Sequence, residues 1–171
     1  MLEPYRDHHP SVDPSAFVHR SATLIGQVTV GAQSSIWPGV TLRGDDGTIV
    51  IGTQTSIQDG SVIHMTEGQS TVTVGDRVTV GHGVILHGCT VEDDCIIGMG
   101  AIVLDNAVVE RGSIVGAGAL VPMGKRVTAG TVVVGNPFKR IRDCSEQDRQ
   151  WIEHSWREYV ARCREYREAQ P

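Results

Sequence analysis

A six-residue repeat of aliphatic residues runs through most of this chain of 171 residues. In its longest unbroken block, eight repeats follow one another from Val91 to Val133. Glycine often follows the aliphatic residue directly, and a small or β-branched residue stands four positions after most of them. A short period with one large and one small inward residue indicates a parallel β-helix. The repeat starts are Val12, Val18, Leu24, Val30, Ile36, Leu42, Ile51, Ile57, Ile63, Val74, Val80, Leu86, Val91, Ile97, Val103, Val109, Val115, Val121, Val127 and Val133.

The number of repeats sets the size of the predicted coil. Three hexapeptides close one triangular turn, and turns stack at the strand spacing of roughly 4.8 Å. The twenty starts therefore predict about seven coils, on the order of 33 Å tall, over residues 12–137. Sequences with this pattern resemble the left-handed parallel β-helix family. The predicted fold class is therefore all-β, and the left hand is what the resemblance implies, because it departs from the usual right-handed crossover.

A helix is predicted after the coils. The repeat stops where Asn136-Pro137 breaks the strand register. Ser145 followed by Asp148 is typical of a helix N-cap with an acid in the first turn. The predicted helix, residues 145–168, has about 24 residues and a length of roughly 36 Å, which matches the stack and places it along one side. The residues at helical spacing are Ile152, Trp156, Tyr159, Cys163 and Tyr166.

Composition excludes several classes of partner. Hydrophobic residues make up 40% and aromatic residues 5% of the chain, which predicts one soluble domain over residues 1–171. The net charge of −5 and the lack of a basic tract argue against nucleic acid and anionic membranes. We find no apolar run of signal-peptide or membrane-spanning length. The four cysteines show no metal-binding or redox spacing, so we expect reduced thiols in the cytoplasm.

The repeat is irregular at three places. Nine residues separate Leu42 from Ile51, eleven separate Ile63 from Val74, and only five separate Leu86 from Val91. Irregularities in a solenoid map to loops on one face, often the binding face. Residues 1–11 are expected to form a polar lead-in with exposed histidines at positions 8 and 9.

Three histidines lie among these irregularities at fixed positions of the repeat. His64 and His87 each follow a repeat start and are three hexapeptides apart, so they should point outward from one face, one coil apart at about 5 Å. Such a pair can share a metal ion. His82 lies on the preceding face near a corner, with Asp59 one coil earlier in its column, and Arg43 precedes His64 in the other column. A neighbouring subunit around a threefold axis could supply the third ligand. The alternative is a histidine ladder on a solvated face.

These residues resemble the gamma-class carbonic anhydrases along nearly the whole chain. The likeness rests on Arg43-Gly44-Asp45, Gln58-Asp59, the three histidines and the C-terminal helix. It implies a homotrimer with zinc, or iron or cobalt in some members, at each subunit interface. His64 and His87 would come from one subunit and His82 from the next. Arg43 and Asp59 would form an ion pair between subunits, beside Asp45.

The resemblance also implies a reaction, the reversible hydration of CO2 to bicarbonate and a proton. Three imidazoles leave an open position where the metal lowers the pKa of water. Gln58 would orient the resulting hydroxide. Glu67 matches the proton-shuttling acid, Asp46 a second acidic position, and Tyr159 a helix tyrosine near the site. The alternatives are an exposed loop charge for Glu67 and helix packing for Tyr159.

Two departures from the family pattern predict weak activity. Ser56 stands where active members have asparagine, and the acidic loop after His64 is short. Two other functions fit the same fold. One is a hexapeptide acyltransferase, which uses a single histidine as general base. The other is a non-catalytic trimer that binds a metal or a metal chelate of the ferripyochelin type.

Overall fold

The computed structural model describes residues 1–169 and contains twenty strands followed by one helix. Most strands have only two or three residues, because the chain turns a corner at every hexapeptide. The elements are β1 (Leu2–Glu3), β2 (Ser11–Val12), β3 (Phe17–Val18), β4 (Thr23–Val30), β5 (Ser35–Ile36), β6 (Thr41–Ile51), β7 (Ser56–Ile57), β8 (Val62–His64), β9 (Val72–Val74), β10 (Thr79–Val80), β11 (Ile85–His87), β12 (Thr90–Val91), β13 (Ile96–Ile97), β14 (Ile102–Val103), β15 (Val108–Val109), β16 (Ile114–Val115), β17 (Leu120–Val121), β18 (Arg126–Val127), β19 (Thr131–Val134), β20 (Lys139–Asp143) and α1 (Glu146–Ala169).

The strands form a left-handed parallel β-helix of about seven turns, as predicted. Within each face of the coil, successive strands pair in parallel with the strand one coil later. The helix face consists of β3, β5, β7, β10, β13, β16 and β19. The histidine face consists of β8, β11, β14 and β17, and the third face of β9, β12, β15 and β18. The long strands β4 and β6 belong to both of the latter faces.

The repeat starts fill the interior. Ile63 and Leu86 are fully buried, as are the corresponding residues of the neighbouring coils. Removing an aliphatic side chain of this size from water stabilises the fold by about 1.5–3 kcal/mol. Cys89 and Cys95 also lie in the core, where burial raises the pKa of each thiol to about 12. All four cysteines are buried, and none of them forms a disulfide within residues 1–169.

The helix lies along the helix face, as predicted, and contacts β3, β5, β7 and β10. Its start is fixed by a reciprocal pair, in which the Asp148 N–H donates to Ser145 Oγ (3.2 Å) and the Ser145 N–H donates to Asp148 Oδ2 (2.7 Å). Aromatic rings of the coil and of the helix pack against one another and fix the helix on this face. The Trp37 ring centroid lies 5.7 Å from that of Tyr159 and 5.0 Å from that of Tyr166.

Asp148, hydrogen-bonded at the helix N-cap, should make the free energy of unfolding depend on pH in the acid range. The Arg142 guanidinium, followed by the hydroxyl and N–H of Ser145, holds the pKa of Asp148 well below its usual range. Because the folded pKa is depressed, this contribution to stability is complete above the unfolded pKa of about 3.9 and is lost as the pH falls below it. We expect the free energy of unfolding of Asp148→Asn to fall less than that of the wild type between pH 6 and pH 3. Exposed Asp7→Asn is the control, and parallel curves for Asp148→Asn and the wild type would contradict the assignment.

Two strands were not predicted. The lead-in, expected to be polar and irregular, begins with β1, which pairs in parallel with Leu24 and Ile25 of β4. The last strand, β20, follows the cis Asn136-Pro137 bond and pairs antiparallel with β19. Its sequence, KRIRD, contains a single apolar residue and every position is exposed, so no periodicity marked it. Among residues 1–169, we find no helix with the length and apolar character needed to cross a bilayer.

Candidate metal centre

His64 and His87 stack on the histidine face. They are register partners at the ends of β8 and β11, directly after the inward residues Ile63 and Leu86. Their ring centroids are 5.4 Å apart and the ring planes meet at 63°. The stacking predicted from the repeat is therefore confirmed.

A buried carboxylate orients the His87 ring. His87 Nδ1 lies 2.8 Å from Asp105 Oδ2, and the Ser70 hydroxyl donates to Asp105 Oδ1 at 2.5 Å. Burial tends to raise the pKa of Asp105, but hydrogen bonds from Ser70 and His87 outweigh it and the pKa is lowered. A carboxylate on one ring nitrogen leaves the other nitrogen available for a metal, as in many metal sites. The sequence analysis did not identify Asp105 or Ser70.

His64 is surrounded by charged side chains. Its Nε2 lies 3.2 Å from Asp45 Oδ1 and 3.2 Å from Asp46 Oδ2, while the Arg43 guanidinium is 3.2 Å from its Nδ1. Arg43 also pairs with Asp45 at 2.7 Å. Burial raises and the hydrogen bond from Arg43 lowers the pKa of Asp45, and the net shift is downward. Within residues 1–169, His64, Asp45 and Asp46 are the group of three that could hold a cation, with ligand atoms within 4.8 Å of one another.

A bulge places the two aspartates there. The sequence analysis interpreted the long spacing between Leu42 and Ile51 as a loop, but β6 is continuous across it. Gly26 pairs with Gly44 and Val28 with Ile49, so residues 45–48 lie opposite Gln27 alone. Such a bulge redirects side chains, here toward His64.

The second irregularity is a loop, as predicted. Residues 65–71 connect β8 to β9, with Met65 buried in the core and Ser70 bound to Asp105. Glu67 lies in the turn of this loop and is exposed. The structure therefore puts Glu67 near the histidine face without bringing it into contact with His64.

His82 lies elsewhere, at the corner between the helix face and the histidine face. Its Nδ1 is 3.0 Å from Asp59 Oδ2, and both side chains are about half exposed, at 49% and 48%. Asp59 is one coil earlier in the same column, as predicted, since its carbonyl accepts the N–H of Gly83. Within residues 1–169 of one chain, His64, His82 and His87 do not form a common group of possible metal ligands. No Arg43–Asp59 ion pair forms within the described chain either, so that pair stays a prediction between subunits.

A groove beside His82 contains the other predicted site residues. It encloses about 430 Å³ between the helix face and α1, and its lining includes Gln58, His82 and Tyr159. Burial raises the pKa of Tyr159. Ser56, at the position that departs from the family pattern, is buried and accepts a hydrogen bond from Trp37 Nε1 (3.0 Å). Ser56 therefore anchors an aromatic ring under the helix.

The candidate site residues of one chain therefore fall into two separate groups. We call His64, His87, Asp45 and Asp46 the stacked half-site, and Gln58, His82 and Tyr159 the corner half-site. Imidazole and carboxylate donors suit zinc, iron or cobalt. Both His87 and His82 have a carboxylate on Nδ1, which fits a metal ligand that binds through Nε2.

Comparison with known proteins places the chain in a family. The family model for the bacterial transferase hexapeptide (six repeats) matches residues 88–122. A carbonic anhydrase of Geobacillus kaustophilus is 42% identical over 170 residues, covering 99% of this chain and 93% of that protein. The mitochondrial gamma carbonic anhydrase 3 of Arabidopsis thaliana is 55% identical over 158 residues. This chain belongs to the gamma carbonic anhydrase family.

The gamma carbonic anhydrase relatives differ in length. The match to the Arabidopsis protein covers 90% of this chain but only 61% of that protein. A solved structure from Bacillus cereus, described provisionally as an acetyltransferase, matches with a TM-score of 0.97 at 38% identity, covering 99% of this chain and 98% of that one. The fold is therefore shared among proteins whose names indicate two different chemistries.

Proposed function

We propose that this protein is a metal-dependent carbonic anhydrase that interconverts CO2 with bicarbonate and a proton at the interfaces of a homotrimer. The observation that carries the proposal is the division of the site. The stacked half-site and the corner half-site lie on different sides of one coil, so a neighbouring subunit completes each centre. Membership of the gamma carbonic anhydrase family supports the same conclusion.

His64 and His87 of one subunit and His82 of the next would hold the metal, which we propose is zinc, with iron or cobalt as alternatives. When bound, this metal supplies Lewis-acid activation of water. Asp105 and Asp59 keep His87 and His82 in the ring orientation that a ligand needs. Both nitrogens of His64 have protein partners in the free chain, so His64 must exchange one of them, and Arg43 can turn to Asp59 of the neighbour.

The remaining site residues would position water and move the proton. Gln58 is almost buried beside His82, where its carboxamide can orient the attacking oxygen. Glu67 is exposed on the loop that follows His64 and can carry the proton to solvent. Asp46, in contact with His64, is the second acid on that route. Tyr159 closes the groove from the helix side and also packs against Trp37.

An apolar ladder supports self-association. Four outward side chains are stacked on the histidine face by strand register: Val62, Ile85, Ile102 and Leu120. Val62 is 42% and Ile85 39% exposed in the single chain. Contiguous apolar surface of this kind marks an interaction site, and in a cyclic trimer it would meet a different surface of the next subunit. The free thiols favour a reducing compartment, and we propose the cytoplasm.

Metal analysis combined with stopped-flow CO2 hydration tests the proposal. We expect one metal per chain and weak but measurable hydration, lost in His82→Ala. Arg111→Ala, at an exposed position away from both half-sites, is the matched control and should retain metal and hydration. Bound metal without hydration would favour the metal-binding trimer, and a metal-free protein would contradict the proposal.

Acyl transfer is the second candidate. The matching family model and the Bacillus cereus structure both have transferase descriptions. Turnover of acetyl-CoA with an amine acceptor by metal-free protein would favour this function. Acetyl-CoA turnover that requires bound metal and depends on His64 would exclude a metal-independent acyltransferase.

A further inference from the structure

One buried hydroxyl has no partner in the protein. Thr79, the first residue of β10, is only 7% exposed, and among residues 1–169 its Oγ1 is the fully buried side-chain polar atom that makes no hydrogen bond. Its column neighbours on the helix face behave differently. Ser56, one coil earlier, and Ser35, two coils earlier, each accept a hydrogen bond from Trp37 Nε1 at 3.0 Å. The Trp37 indole N–H thus serves both serines and does not reach Thr79.

A second buried polar group lines the same groove. Gln58 is 6% exposed, and its carboxamide supplies both donors and an acceptor beside Thr79. Thr79 and Gln58 both line the space between the coil and α1, and of these two the Thr79 hydroxyl is the buried group without a partner among residues 1–169. Leaving a buried polar group unpaired costs free energy, so such groups in native proteins have a partner, often a ligand or an ordered water.

The available atoms define the chemistry of that partner. A threonine hydroxyl can donate one hydrogen bond, and a carboxamide offers two donors and one acceptor. A small oxyanion that also carries a hydroxyl, such as bicarbonate, matches this set, whereas CO2 has no proton to donate. Arg162 lines the groove and adds positive charge, partly offset by Glu158 at 3.5 Å.

We propose that Thr79 is a substrate-binding residue whose hydroxyl donates a hydrogen bond to bicarbonate while Gln58 binds a second oxygen. This inference rests on the proposed function, because it assigns the groove beside His82 to the hydrated form of the substrate. It adds to the site a residue on the strand preceding His82, where no motif pointed.

Two substitutions separate the hydroxyl from the shape of the residue. Thr79→Val keeps the volume and removes the donor, and Thr79→Ser keeps the donor. We expect the KM for bicarbonate in the dehydration direction to rise about tenfold or more in Thr79→Val, since a hydrogen bond to a charged group is lost, and to stay near the wild-type value in Thr79→Ser. The stabilisation of the trimer by sodium bicarbonate over sodium chloride, measured as a shift in Tm, should be reduced in Thr79→Val alone.

The control is the Tm in sodium chloride. Since Thr79 Oγ1 has no protein partner, Thr79→Val should not lower that Tm. A lower Tm with an unchanged response to bicarbonate would show that the hydroxyl is structural and would overturn the inference. Hydration with an unchanged KM for bicarbonate in Thr79→Val would overturn the inference and leave the proposed function standing. A bicarbonate-dependent Tm shift that requires Thr79, in a protein without hydration activity, would support the inference and count against the proposed function.

Discussion

Trimers assembled from equal amounts of His64→Ala and His82→Ala subunits should recover metal sites that neither variant has alone. In the proposed function, each site needs an intact stacked half-site from one chain and an intact corner half-site from the next. In a random cyclic trimer, about one quarter of the interfaces combine the two intact halves. Bound metal and CO2 hydration should therefore both return to about one quarter of the wild-type value. Refolding the mixed chains together, followed by metal analysis, gives the measurement.

A matched mixture provides the control. His64 and His87 belong to the same half-site, with ring centroids 5.4 Å apart in one chain. Mixing His64→Ala with His87→Ala should therefore restore nothing, because no interface then contains a complete stacked pair. Equal recovery in the two mixtures, or no recovery with His82→Ala, would contradict a centre shared between subunits.

Gly88→Ala should weaken metal binding at the proposed site, although Gly88 itself has no side chain that could bind a metal. Gly88 has φ +60°, and a Cβ added there would overlap Ser70 Oγ and Asp105 Oδ1, the two groups that orient His87. Displacing a carboxylate that supports a metal ligand typically lowers metal affinity by roughly 10–100-fold. We expect a loss of that size in a competition assay with a chelating dye. The strained backbone should cost a further 1–3 kcal/mol of stability, approximately.

Gly100→Ala is the control that separates the effect of backbone strain from the effect of steric overlap with Ser70 and Asp105. Gly100 has φ +67° and open space around the added Cβ, so it suffers the backbone strain alone. It should lose stability and keep its metal affinity. Asp105→Asn, which preserves shape and removes the charge, should reproduce the affinity loss if Gly88→Ala folds poorly. A normal affinity in both Gly88→Ala and Asp105→Asn would show that Asp105 does not support the site.

The repeat predicted the stacking because side-chain direction alternates along a strand. His64 and His87 each follow an inward aliphatic residue, so both had to point outward from the same face. Local capping chemistry likewise predicted the helix, which begins at Glu146 directly after Ser145. These features depend on spacing and local hydrogen bonding, and both are readable in a sequence.

Contacts that depend on irregular backbone could not be predicted in the same way. Counting in sixes places Asp105 near a corner one coil after His87, but its contact with the ring also requires Ser70, which comes from the inserted loop. The bulge that turns Asp45 and Asp46 toward His64 depends on pairing with Gln27, eighteen or more residues away in sequence. The unpartnered hydroxyl of Thr79 became visible only when the helix had been placed over it.

The stacked and corner half-sites lie at different places on one coil, so the proposed centre would make activity depend on protein concentration. Dilution that separates the chains would inactivate every metal centre. Each coil would stay folded, because its aliphatic interior is complete within one chain. The enzyme would then lose activity by dissociation under conditions in which each chain stays folded. Turnover per chain would rise with protein concentration until all chains are assembled into trimers.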